Sequence, residues 1–162
     1  MTNHPTHLRA AVPGEAGLLS ALALRSKGHW GYDADFLAAC RDELTLRDDE
    51  LAARRTVVAE VDGTVAGFGT LEGDAPVGEL GMLFVDPDAI GRGVGRALLG
   101  HLVEAARALG FTTLTIDADP NAEAFYVAAG AVRVRAVPSE SIPGRVLPQL
   151  ELSLDPAPPA PR

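Results

Sequence analysis

Between Thr56 and Val85 the hydrophobic period of this chain drops to two, and on both sides of that window it is mainly helical. The run "TVVAEVDGTVAGFGTL" alternates as a half-buried strand does. Asp62-Gly63 interrupts it, a dipeptide suited to a two-residue hairpin turn. "VGELGMLFV", Val77 to Val85, reads as a third strand. Three such strands with short links make an antiparallel meander, the central constraint on the fold.

The flanks complete the order. "HLRAAV", His7 to Val12, reads as a short strand ended by Pro13-Gly14. Leu18, Leu22 and Arg25 lie at helical spacing, with Leu19 and Ala23 beside them, and Gly28 stops that helix. Asp33 caps a second helix predicted to reach about Leu44, with Phe36, Leu37, Cys40 and Leu44 on one face. After the meander, a helix from about Gly93 to Leu109 carries a stripe of Leu98, Leu102, Ala105 and Leu109. "FTTLTID" reads as a buried strand, "NAEAFYVAAG" as a short helix, and "AVRVRAV" and "VLPQLELSL" as two final strands. The expectation is one α+β domain over residues 8–154, with a mixed, mostly antiparallel sheet of about seven strands flanked by four helices. Residues 1–7 and the proline-rich 155–162 are expected to be flexible termini.

A formal net charge of -8 argues against a general nucleic-acid or membrane-surface binder. No apolar run reaches the roughly 18 residues that span a bilayer, and no secretory signal pattern opens the chain. Cys40 is the single cysteine, so no internal disulfide forms, which fits a cytoplasmic protein.

The stretch "LFVDPDAIGRGVGRALLGHL" places Gly91, Gly93 and Gly95 immediately before a helix. Glycine loses the most freedom on ordering, so three alternating glycines suggest that something approaches the backbone closely. A helix N-terminus offers unpaired N–H groups to an anion, commonly a phosphate. Two other phosphate loops fit poorly. The P-loop needs Lys-Ser or Lys-Thr after its last glycine, where this chain has Arg96-Ala97. The dinucleotide fingerprint fails at Arg96 or Leu98, and Asp86 to Ile90 separate the glycines from the strand.

That stretch closely resembles the acetyl-CoA motif of the GNAT superfamily of N-acetyltransferases, a Gln/Arg-x-x-Gly-x-Gly/Ala loop preceded by a strand ending in Val-x-Pro. Its glycine positions fall on Gly93 and Gly95, and its Gln/Arg position on Ile90, a departure from the pattern. "NAEAFYVAAGA" is similar to the family's second motif, supplying Asn121, Phe125, Tyr126 and Gly130. The resemblance covers about Leu8 to Leu154, because the element order also agrees.

The resemblance implies a fold and a chemistry. Acetyl-CoA is the co-substrate, with no metal. Its pantetheine arm lies along the strand before the loop, with Leu83, Phe84 and Val85 beside it. Ile90, Gly91, Arg92, Gly93, Val94, Gly95 and Arg96 surround the pyrophosphate, and Asn121 belongs to the same site. Tyr126 protonates the departing thiolate. A lysine-like amine, with a pKa near ~10.4, must lose a proton, and Glu79 is the candidate base. Period two places Glu79, Gly81, Leu83 and Val85 on one face unless a bulge intervenes; a solvated strand-end charge is the other reading of Glu79. His29, Trp30 and Tyr32 are candidates for acceptor contact, with a core plug as the alternative for Trp30. Ser139, Glu140, Ser141 and Arg145 either close over the acceptor or form a plain hairpin loop.

The activity expected is transfer of an acetyl group to a primary amine, on a small molecule or a protein, directly in a ternary complex. A non-catalytic acyl-CoA-binding sensor or regulatory module is the alternative. The exposed final strands suggest a possible homodimer.

Overall fold

A computed structural model describes residues 5–154. Its elements run β1 (Thr6–Ala10), α1 (Ala16–Gly28), α2 (Ala34–Cys40), β2 (Val57–Val61), β3 (Thr64–Glu72), β4 (Val77–Val85), α3 (Val94–Ala108), β5 (Thr113–Asp117), α4 (Glu123–Ala128), β6 (Val132–Pro138) and β7 (Val146–Ser153). The α+β expectation holds, with one seven-stranded sheet in the order β1-β2-β3-β4-β5-β7-β6. All neighbours are antiparallel except β4 and β5. Asp62 and Gly63 both take positive φ, 55° and 76°, at the β2–β3 turn, where a two-residue hairpin needs them.

Three boundaries differ from the sequence reading. β1 starts at Thr6, which pairs with Val61, and ends at Ala10 rather than Val12. α2 ends at Cys40 rather than near Leu44, although Leu44 is still buried. On α3 the buried stripe is Val94, Leu98, Leu99, Leu102 and Ala106, while Leu109 is exposed beyond the helix end. The expected flexible segments 1–4 and 155–162 lie outside the described residues.

Each face of the sheet has its own core. On one side Leu71, Leu80, Leu114, Ile116 and Leu150 pack with α3 and with Tyr126 of α4. On the other, Val58, Phe68 and Met82 pack with Leu19, Leu22 and Cys40 from α1 and α2. Two glycines of β3 let α3 lie close. A Cβ at Gly67 would stand 2.8 Å from Phe84 O, and one at Gly69 would stand 2.7 Å from Leu102 Cδ1.

β4 holds the feature that positions the site. Thr70 pairs with Met82 but Leu71 pairs with Leu80, so Gly81 is an extra residue, a β-bulge. Leu80 therefore joins the α3 side, and Gly81 and Met82 both face the α1/α2 side. Beyond that point β4 and β5 separate, since their parallel pairing covers only Val77–Glu79 with Thr113–Thr115. No helix among the described residues is long and apolar enough to cross a membrane.

Candidate functional site

The parting of β4 and β5 opens a cleft of about 420 Å³ that passes through the sheet. Ten of the eleven residues assigned to the cofactor line it: Leu83, Phe84, Val85, Ile90, Gly91, Gly93, Val94, Gly95, Arg96 and Asn121. Tyr126 and Trp30 line it as well. Arg92 does not; it lies exposed on the loop.

One wall is polar backbone. Gly93 caps α3 in the left-handed conformation, φ 79°, and Gly91 has φ 87°. A Cβ on either would meet nothing within 4 Å, so conformation rather than crowding requires glycine there. The N–H groups of Gly93, Val94, Gly95 and Arg96 have no acceptor among the described residues; the first helical bond into Gly93 O comes from Ala97. These orphan donors and the positive end of the helix face the same opening. Neither Arg92 nor Arg96 has an ion-pair partner among the described residues.

A second wall is a free strand edge. Asp86 N donates to Ala66 O on β3 at 2.8 Å. Direction alternates along an antiparallel ladder, so Phe84 points its backbone toward β3, and Leu83 and Val85 point theirs toward the cleft.

Tyr126 is 6% exposed, and its hydroxyl makes no hydrogen bond among the described residues. Burial pushes its pKa up, keeping the phenol neutral. The ring of Phe125 meets it edge-on at 5.2 Å.

For Glu79 the expected strand parity does not hold. The Gly81 bulge breaks the expected parity, so Glu79 does not share the face of Leu83 and Val85. It stands on the α1/α2 side, opposite Glu72 in register, at the end of the β4–β5 pairing, and it does not line the cleft. Glu79 is largely exposed, yet its pKa is raised, first by partial burial of the carboxyl and then by the charges of Glu72, Asp117 and Glu140; Arg54 opposes them. Tyr126 and Glu79 thus flank the gap in the sheet from opposite sides.

Tyr32 and His29 stand beside the cleft lining. Neither lines the cleft. Tyr32 belongs to a network centred on Asp119, to which it donates at 3.0 Å while its ring stacks on Phe36 at 4.0 Å. Lys27 Nζ donates to Asp119 Oδ2 at 2.7 Å, and Arg145 Nη2 donates to Tyr32 Oη at 2.8 Å. Asn121 lines the cleft, but its side-chain amide donates to Tyr32 Oη and Asp119 Oδ1. Burial would raise Asp119, but hydrogen bonds from Lys27, the Asn121 N–H and Tyr32 outweigh it and hold the carboxyl at about 2. His29 is exposed against Trp30, their rings 5.3 Å apart, and Trp30 is itself 46% exposed at the cleft.

The same network ties down the 139–145 loop through Arg145, and Ser141 Oγ donates to Glu43 Oε2 at 2.6 Å. Asp119, Lys27, Glu43 and Asp117 all line the cleft and were not among the sequence candidates. Cys40 is 2% exposed in the core, as its helical position suggested, with its sulfur 3.6 Å from Ser141 Oγ. No group of three or more His, Cys, Asp or Glu side chains among the described residues is placed to hold a metal ion.

The model of the Acetyltransferase (GNAT) family matches residues 24–131. A crystal structure of a GCN5-related N-acetyltransferase from Rhodopseudomonas palustris is similar at 28% identity, with a TM-score of 0.77 over 94% of this chain and 98% of that one. The PaiA N-acetyltransferase of Thermoplasma acidophilum, in complex with coenzyme A, gives 16% identity and a TM-score of 0.75 over 92% and 99%. YncA, a putative acetyltransferase of Salmonella typhimurium with its cofactor acetyl-CoA, gives 22% and 0.66 over 96% and 99%. These last two likenesses are of fold. No curated protein sequence matches the chain. The family match spans the meander, the glycine loop and the tyrosine helix whose geometry makes the cleft, and the chain belongs to the Acetyltransferase (GNAT) family.

Proposed function

We propose that the protein is an acetyl-CoA-dependent N-acetyltransferase acting on a primary amine by direct transfer in a ternary complex. The observation that carries this reading is the meeting, in one cleft, of four consecutive unpaired amides at the start of α3, the free edge of β4 and the unpartnered Tyr126 hydroxyl. The residues present fit the co-substrate. Gly93 to Arg96 present N–H donors to a diphosphate. Leu83 and Val85 present strand-edge groups to the amides of an extended arm. Ile90 supplies no side-chain hydrogen bond, so the backbone bears that contact.

Acetyl-CoA supplies the activated acyl group: an N–C bond forms at the amine as the C–S bond breaks, one proton leaves the nitrogen and one reaches the sulfur. Glu79 accepts the proton on the α1/α2 side, directly or through water, and its raised pKa makes it a better base than a free carboxylate. Tyr126 Oη, neutral and without another partner, donates on the α3/α4 side. Trp30 lines the cleft, and Arg145 ties the 139–145 loop to Asp119 of its lining. Cys40 remains a packed thiol, so no acyl relay is assigned to it. A non-catalytic sensor would need the same cradle but not two proton-handling groups flanking the gap.

Saturating acetyl-CoA stabilises only the folded chain. At about a hundredfold excess over Kd it adds about 2.7 kcal/mol, which raises Tm by at least about 5 °C. The same preparation releases free CoA thiol when given primary amines. No change in Tm at millimolar acetyl-CoA rejects the nucleotide site; a shift with no thiol release across a broad amine panel favours the sensor.

A further inference from the structure

The bulge in β4 is held by residues that do not touch the cleft. Glu72, the last residue of β3, stands opposite Glu79 in register. Like charges directly opposite on a ladder are unfavourable, so Glu72 needs a compensating contact, and it finds one at Gly81. A Cβ on Gly81 would overlap Glu72 Oε2 and stand 2.6 Å from its Cδ and 3.0 Å from Thr70 Oγ1. The carboxylate thus occupies the space that a side chain at the bulge would fill. Two donors hold it there: Thr70 Oγ1, on a fully buried residue, at 2.8 Å, and Arg54 Nη2 at 3.0 Å. Arg54 is anchored in turn, because its carbonyl accepts from the Leu71 N–H of β3 at 3.0 Å.

A bulge that nothing holds is easily lost. A one-residue slip removes the extra residue and turns every following side chain to the other face. Gly81 has no side chain to oppose that slip, and the pairing with β5 stops at Glu79. Beyond the bulge lie Leu83 and Val85, whose free backbone edge faces the cleft. Gly81 lines the cleft, whereas Glu72, Thr70 and Arg54 do not, so these three reach it only through the bulge. We infer, resting on the N-acetyltransferase reading above, that Glu72 is a positioning residue: its carboxylate, held by Thr70 and Arg54, seats on Gly81 and fixes the register in which β4 offers its edge to the pantetheine arm. The seat needs reach and an acceptor oxygen more than it needs charge. Aspartate falls one methylene short of Gly81, whereas glutamine reaches it and still accepts from both donors.

Glu72→Asp and Glu72→Gln, compared with wild type, test this in two ways. The Glu72 side chain is 27% exposed, so both variants should fold. Hydrogen exchange on the unliganded protein reads the bulge directly. In Glu72→Asp the β4 amides turned toward β3, at Met82 and Phe84, should exchange about tenfold faster, with exchange across β2 unchanged. The same variant should lower kcat/KM for acetyl-CoA about tenfold, the larger part in KM, at a temperature well below its Tm. Glu72→Gln should recover most of both losses, which a role through net charge would not allow. Faster exchange spread evenly over β2 and β4, or a loss of kcat/KM that follows Tm in both variants, makes Glu72 a plain stabiliser and overturns the inference. Faster exchange confined to β4, in a protein that acetyl-CoA does not stabilise, upholds the seat while rejecting the nucleotide reading. Stabilisation by acetyl-CoA with wild-type exchange and KM in Glu72→Asp does the reverse.

Discussion

Tyr126 separates stability from catalysis within one residue. Its ring packs in the α3-side core, while its hydroxyl has no protein partner among the described residues and stays open to the cleft. A hydroxyl open to the cleft is hydrated in the folded chain, so Tyr126→Phe should leave Tm nearly unchanged. The same variant should lower kcat about 10²-fold with little change in acetyl-CoA affinity; a kcat equal to wild type removes the assigned role. Glu79 is read through pH. Its pKa lies above the ordinary carboxylate value, and a base works deprotonated, so activity should rise with pH through that raised value. Glu79→Gln should abolish that limb, leave only the acceptor's own ionisation, and reduce kcat/KM about 10–100-fold. A pH–rate profile unchanged by the substitution assigns the base elsewhere. Tyr126 was legible from its motif; the side on which Glu79 stands was not, because one inserted residue reverses strand parity.

At the scale of elements, α3 and β4 make the cleft together. α3 aligns its orphan donors with the free edge of β4 because Gly67 and Gly69 leave room for Leu98 and Leu102 against β3. Gly69→Ala puts a Cβ 2.7 Å from Leu102 Cδ1 and 3.1 Å from Met82 O. It should destabilise by about 1–3 kcal/mol, readable as a lower denaturant midpoint. A neutral result means that α3 shifts without cost. The strands and helices were legible because period-two and period-3.6 patterns bury different faces. The α2 boundary was missed because residues 41–44 keep burying Leu44 after helical geometry has ended. The Gly81 bulge has no signature in the sequence beyond the glycine itself.

The whole molecule is held around the site by Asp119, which joins Lys27 of α1 and Tyr32 after α1 to Arg145 before β7. Its folded pKa is about 2, below the 3.8 of a free aspartate. The ionised form is therefore favoured by folding, so its contribution is complete above pH 3.8 and is lost as pH falls toward 2. That difference corresponds to about 2 kcal/mol. Asp119→Asn should lose about that much at neutral pH and flatten the pH 2–4 limb of an acid denaturation curve; an unchanged limb places the acid sensitivity elsewhere. Hydrophobic period, the Asp62-Gly63 turn and the glycine loop by themselves determined the element order, the single α+β domain and the amide-lined N-terminus of α3, because each is a local pattern acting over a few residues. Only tertiary packing decided where the strands part, which side of the gap Glu79 occupies, and that Tyr32 and Asn121 serve Asp119, because those outcomes depend on a bulge and on residues up to 113 positions apart in the chain.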